Sequence, residues 1–393
     1  MLNIKRGYMK KKILGVNVNV FLLGIVSFLT DISSEMIFSV FSIFFTVILH
    51  ASTALLGLIE GLSDFSASSL DYLAGFISDK TGKRKPFATL GYIFSTLAKS
   101  ILLIKSSILS ASLFRVIERL GKSFRGPPRD AWISSLSKKS VRGYSFGLHK
   151  ALDKAGAILG PFIAYLILNY FGQNEFSFKF IFLTALIPAL LAVILILTIK
   201  DKTSKPMKRE NIFKAYKTLN KSYWHYFYTA VIFSLAYFSF SFLLLKAYLV
   251  GFSLKDVTLL YALFNISFVI FSPFIGKLGD YIGRRKIITM GFMFYLLMSI
   301  GFIFAKEKSQ VIILFLIFGV FYAIDEGQSK AYISDLEKKK IGTAIGVYNF
   351  ATGLVYLPAS IIAGLLWVIN PNYTFLFAAS ISLAAMIFFI YKK

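Results

Sequence analysis

Ionisable side chains inside long apolar runs offer the most chemistry in this sequence. Each costs about 2.5–3.5 kcal/mol or more to hold in hydrocarbon, so it must face a cavity, a partner or a helix end. Asp31 and Glu35 stand one helical turn apart near the middle of the first apolar run and share a face. Desolvation favours the neutral form of a carboxylate unless a cation offsets it, the property that a proton-coupling group needs. A structural ion pair with a neighbouring helix is the competing use of the same two residues. In the second run Asp64 and Asp71, seven residues apart, lie along one face, while Glu60 reads as close to the outer surface. In the fourth, Arg115, Glu118, Arg119 and Lys122 form one charged stripe running toward the basic end. Such a stripe could bind a small organic anion. His149, Lys150, Asp153 and Lys154 fall in the first third of the fifth run, where the lysines can snorkel to the interface.

None of this makes a catalytic set. The chain has no Cys, which removes thiolate chemistry, disulfides and Cys-ligated metal sites. Its three His, at 50, 149 and 225, are not spaced for a metal pair. There is no G-x-x-x-x-G-K-[ST] phosphate loop, so nucleotide-driven transport is disfavoured. The expectation is no catalytic residue, no metal and no cofactor, with a membrane-embedded enzyme kept only as a distant alternative.

The elements that must position these charges follow from composition. Of 393 residues 56% are hydrophobic and 17% aromatic, with a mean hydropathy of +0.69, too apolar for a soluble surface. A net charge of +25 would suit nucleic acid, but the cations cluster in short segments between apolar runs, so lipid is the expected partner and nucleic acid is not. A span takes about 20 helical residues. Twelve candidates emerge: Asn17–Ile48, Ala54–Ser78, Pro86–Ile104, Ser107–Gly126, Tyr144–Phe171 and Phe178–Ile199, then Trp224–Val250, Val257–Gly276, Ile287–Ala305, Gln310–Ser334, Gly342–Ile369 and Tyr373–Tyr391. The basic start, Lys5, Arg6 and Lys10 to Lys12, precedes a run too long for a signal-peptide core, which reads as an uncleaved first helix. The expected division is a first half over 1–199, a lysine-rich linker over 200–223 and a second half over 224–393. One set of loops and both ends together hold about 30 cations against about five on the other side, which predicts both termini in the cytoplasm of a multi-pass protein of the cell membrane.

The halves repeat. Gly75, Asp79, Gly82, Lys83 and Arg84 match Gly276, Asp280, Gly283, Arg284 and Arg285 at a 201-residue offset, and Ala131 to Leu136 matches Ala331 to Leu336 at an offset of 200. The first pair resembles the G-x-x-x-D-x-x-G-R/K-R/K loop motif of major facilitator superfamily transporters. Arg115-x-x-Glu118-Arg119-x-Gly121 is similar to the family's R-x-x-Q-G-x-G pattern, with Glu for Gln and Arg for the first Gly. Its continuation through Lys122, Arg125, Pro128, Arg129, Asp130 and Ala131 resembles a poorly characterised prokaryotic branch. Gly147, Gly156, Gly160 and Pro161 are similar to the family's antiporter motif on helix 5, whose chemistry is close helix packing.

The resemblance implies an all-α membrane fold of twelve helices in two pseudo-symmetric six-helix halves, with a small-molecule site between them and alternating access. It also implies a monomer that is not an enzyme. Proton-coupled export is the expected function, with Asp31, Glu35, Asp64, Arg115, Glu118, Arg119, His149, Lys150 and Asp153 as substrate or coupling candidates. Proton-coupled uptake of a small organic anion is the alternative. Asp79 and Asp280 are expected to hold equivalent cytoplasmic gates. Aligning the repeats sets Arg125 opposite Asp325, so a pair between Arg125 or Arg129 and Asp325 or Glu326 is expected to close the mouth in at least one state.

Overall fold

The computed structural model describes residues 12–138, 141–199, 219–338 and 340–391, leaving aside the side chains of Ser69, Tyr72, Phe76 and Asp79. The basic residues Lys5, Arg6, Lys10 and Lys11, positions 200–218 of the expected linker and the Lys392–Lys393 tail lie outside the described residues.

A two-stranded hairpin, β1 (Lys12–Ile13) with β2 (Val16–Asn17), leads into α1 (Val18–Ile43), which continues as a π-helical turn over Phe44–Ile48. Then follow α2 (Thr53–Thr81), α3 (Lys85–Ile104), α4 (Ile108–Leu136), α5 (Arg142–Phe171) and α6 (Glu175–Thr198). The second half comprises α7 (Lys221–Ser234), α8 (Ser241–Leu249), α9 (Leu254–Ile282), α10 (Arg284–Phe304), α11 (Lys308–Leu336), α12 (Ile341–Ile369) and α13 (Pro371–Tyr391). Nine of these helices are long and apolar enough to cross a membrane. α2 and α4 fall short on composition, because they carry the charges singled out above, yet each has 29 residues. At 1.5 Å per residue that is about 43 Å, ample for a span.

The single seventh helix expected over Trp224–Val250 is corrected by the structure to two. Between α7 and α8 the chain makes tight turns, Ala236 N donating to Phe233 O at 2.8 Å and Phe242 N to Ser239 O at 3.1 Å. Irregular backbone at membrane depth persists only where protein re-satisfies it. Here the Tyr295 hydroxyl donates to Ala236 O at 2.6 Å. Neither Pro nor Gly stands in the break, so no sequence signal marked it.

Local chemistry explains the other boundaries. Ser52, Ser107, Asn174 and Ser253 each cap a helix start by accepting a backbone N–H. The loop-motif glycines Gly82 and Gly283 take φ of +68° and +94°, backbone that L side chains avoid. Along α6, Leu183, Ile187, Leu190 and Ile194 form an exposed apolar stripe, a face for lipid rather than water.

α1 packs on α5, α3 on α4, and the two halves meet where α2 lies along α12 and α5 along α9. Glycine allows the close approaches: Gly156 and Gly160 against the backbone of α1, Gly91 against Gly121, and Gly57 against Ser360 and Gly364.

Candidate functional site

A cavity of about 420 Å³ lies between the halves. Its first wall is charged: Glu35 from α1, Glu60, Asp64 and Asp71 from α2, Arg115, Arg119 and Lys122 from α4, and Lys154 from α5. The second wall is largely aromatic: Tyr237, Phe238 and Phe240 from the α7–α8 break, Tyr261 and Phe264 from α9, Phe318 and Tyr322 from α11, Tyr348 and Tyr356 from α12. Asp325, Glu326 and Lys330 are its charged members. Lys122 and Lys330 both line the cavity and are exposed, so it opens toward the end of the bundle that holds the loop motifs. At the opposite end α2 and α12 close on each other through Gly57 and Gly364, and Lys255 Nζ reaches Asn169 Oδ1 at 2.8 Å.

Helical periodicity splits the α4 stripe in two. Arg115, Arg119 and Lys122 point into the cavity, whereas Glu118 and Arg125 turn toward α1 and α3. Arg115 grips Glu60 in a bidentate pair, Nε to Oε1 at 2.9 Å and Nη2 to Oε2 at 2.6 Å, beneath the ring of Phe38 at 4.3 Å. Glu60 is fully buried, and Arg115 compensates its charge inside the protein. Arg119 approaches Asp64 at 3.5 Å. Asp71 shares this wall, so Asp64 and Asp71 face one space as their spacing implied.

Behind the wall lies a second network. Fully buried Glu118 accepts from Ser34 at 3.3 Å and pairs with Arg125 at 3.7 Å, and Arg125 also donates to Ser95. Lys99 of α3, equally buried, donates to Ser34 at 3.2 Å. Sequence reasoning passed over Lys99, although its place at mid-helix in an apolar span was the same signal that flagged Arg115. His149 meets Ser27 at 2.9 Å, and Arg129 reaches that hydroxyl at 3.2 Å while pairing with Asp130 at 3.0 Å.

Arg125 and Arg129 therefore pair within their own half in this structure, not with Asp325 or Glu326. The cross-half ion pair that forms is Lys150 with Glu326 at 3.1 Å, Lys150 also standing 3.6 Å from Asp153. Glu118 holds Arg125, and Ser27 and Asp130 hold Arg129, whereas Lys150 stands on α5 at the seam between halves.

Two further bonds cross the seam at equivalent positions. The Ser241 hydroxyl donates to Glu60 Oε1 at 3.1 Å, and the Tyr261 hydroxyl donates to Glu35. Tyr261 occupies the position of Glu60 under the 201-residue offset, so each reaches from the second span of its half to the first span of the other. Among the described residues Glu35 makes no ion pair. Asp31, expected to act with it, lies instead against Gly156 of α5 and does not line the cavity.

At the motif end Arg284 bonds Asp280 at 2.7 Å and Asp335 at 2.8 Å, tying the α9–α10 turn to α11, and Arg285 donates to Phe389 O at 2.8 Å. In the first half Arg84 donates to Ala131 O at 2.6 Å and the Lys83 carbonyl accepts from Ser78 at 3.2 Å. The side chain of Asp79 lies outside the described residues. Gly75 is buried on α2, while Gly276 has open space around it. On α5, Gly156 and Gly160 touch α1, Pro161 stays within the helix, and a Cβ at Gly147 would meet open space.

Comparisons with known proteins agree with this geometry. The family model described as Major Facilitator Superfamily matches residues 23–305 and 245–393. An uncharacterized MFS-type transporter of Methanocaldococcus jannaschii is 38% identical over 372 residues, 93% of this chain and 92% of that protein. The quinolone resistance protein NorA of Staphylococcus aureus is 22% identical over 86% of this chain and 87% of its own. Among solved structures, the nucleoside transporter NupG superposes with a TM-score of 0.81 at 13% identity, covering 95% of this chain and 99% of that one. A peptide transporter of the POT family, solved with sulfate, gives 0.79 at 12% identity over 97% and 95%.

Proposed function

Because the chain belongs to the major facilitator superfamily and is a multi-pass secondary transporter, we propose that it exports a small molecule in exchange for protons through the central cavity. The observation that carries this reading is the Glu35–Tyr261 bond. A carboxylate without an ion-pair partner faces the cavity and ties α1 of one half to α9 of the other. Losing its charge replaces a charge-assisted bond by a weaker neutral one, so proton uptake biases the rocking of the halves. The loop motifs and both termini face the cytoplasm in this reading, which makes the cavity inward-open. The similarity to a quinolone resistance protein supports outward movement of an organic compound. Both walls belong to one chain, which accords with a monomer.

Uptake of a small organic anion is the second reading, favoured by Arg119, Lys122 and Lys330 on the cavity surface. Everted vesicles with an acid interior separate the two. An exported compound added outside should collapse the proton gradient, read by a pH-sensitive dye, and the response should vanish in Glu35→Gln. Accumulation driven only by proton entry in right-side-out vesicles, with no response in everted ones, rejects export.

A further inference from the structure

Besides Glu35, two cavity acids lack an ion pair among the described residues: Asp71, which shares the first wall with Lys122, and Asp325, which faces it from the second half. Glu60, Asp64 and Glu326 each have a cation within salt-bridge distance, and Glu35 has Tyr261. Among the described residues Asp325 makes no ion pair, and its hydrogen bond is a long one, 3.3 Å from the Ser329 hydroxyl. It is half-buried on α11 and borders two spaces at once. One is the central cavity; the other is a small side pocket of about 20 Å³ that runs toward α7 and α10.

Beside Ser329, Glu326 and Lys330, the lining around it is rich in rings. Tyr237, Tyr322, Tyr348 and Tyr356 line the cavity near Asp325, and Tyr226 closes the side pocket. Four of them share the central cavity with Asp325, and Tyr226 and Tyr348 share the side pocket with it. They are ordered among themselves: Tyr226 stacks on Tyr348 with centroids 6.1 Å apart, and Tyr237 meets Tyr356 at 5.3 Å. A ring face carries the negative end of its quadrupole and attracts cations, aromatic cages being a recurrent way to hold quaternary ammonium groups. A carboxylate that shares a cavity with tyrosine rings therefore suits a positive guest with aromatic groups better than an anion. The nearest cation in sequence, Lys330, is exposed at the mouth.

We propose that Asp325 and its surrounding tyrosines form the substrate subsite of the second half, and that it takes an organic cation bearing aromatic rings. The inference rests on the reading of the central cavity as the transport site. Asp325 neutralises the positive charge, the tyrosine rings stack on the apolar part, and the charged first wall is left for coupling.

Tetraphenylphosphonium and tetraphenylborate have nearly the same shape and opposite charge, which makes them suitable probes. Their equilibrium binding to the purified full chain in detergent should favour the phosphonium. Asp325→Asn should weaken phosphonium binding at least ten-fold, Asp325→Glu should restore most of it, and Tyr356→Ala should weaken it several-fold. Should Asp325→Asn misfold, the comparison of the two ions on the unmodified protein still decides. Equal or tighter binding of the borate, saturable phosphonium binding indifferent to Asp325→Asn, or no saturable binding by protein that melts cooperatively would each overturn the proposal. Asp325-dependent phosphonium binding without proton exchange in everted vesicles would sustain the subsite and reject export.

Discussion

At the scale of single residues, the buried charges of α2 and α4 hold one another. Removing one member of such a pair strands an uncompensated charge, whereas removing both with volume conserved is often nearly neutral. Arg115 and Glu60 are 6% and 0% exposed, so the asymmetry should be large here. Glu60→Gln and Arg115→Met should each destabilise the protein by about 3–5 kcal/mol. The double variant should recover most of that loss. Thermal unfolding in detergent is the measurement, and additive losses in the double variant would show that the two residues do not act as a pair. The depth of Arg115 was legible from its position in an apolar run. Its partner was not, because Glu60 sits early in α2 and only the packing of α2 against α4 shows that this position is interior.

At the scale of elements, close packing separates glycines that look alike in sequence. A Cβ at Gly156 would collide with the Phe28 carbonyl and stand 3.1 Å from Asp31 Cβ, while a Cβ at Gly147 would meet nothing within 4 Å. Gly156→Leu should therefore push α1 from α5 and abolish the cooperative melting transition, whereas Gly147→Leu should melt within about 1 kcal/mol of the parent, the scale of the helix-propensity difference between Gly and Leu. Equal behaviour of the two variants would mean that the α1–α5 contact is not what the motif provides. Small residues at helical spacing announce a packed helix, but not which of them is on the packed face. The break between α7 and α8 was still less legible, since a hydroxyl from α10 supplies what Pro or Gly would otherwise have signalled.

At the scale of the whole molecule, the polar contacts between the halves among the described residues include Lys150 with Glu326, Tyr261 with Glu35, Ser241 with Glu60 and, at the far end, Lys255 with Asn169 and Gln173. Conformers that differ by a few kcal/mol can be rebalanced by such contacts. Lys150→Glu and Glu326→Lys should each raise labelling of a cysteine introduced at Lys330, because like charges would then push α5 from α11 at the mouth. The double exchange should return labelling toward the parent rate. The absence of native Cys makes the readout direct. Unchanged labelling in both single variants would remove this pair from the gate.

Lipid solvation acts on each segment separately, so hydropathy, loop charge and the 201-residue repeat were enough to give twelve spans, two like halves and the family. Which charges meet is a different kind of quantity. It depends on the rotation of each helix about its axis and on the neighbour it faces, and a turn of one residue moves a side chain by 100°. The sequence alone therefore placed Glu118 in one stripe with Arg115, set Asp31 and Glu35 on one face and offered Arg125 to Asp325. The tertiary structure decided that Glu118 and Arg125 face inward, that Glu35 alone of the first pair reaches the cavity, and that Asp325 is left among tyrosines.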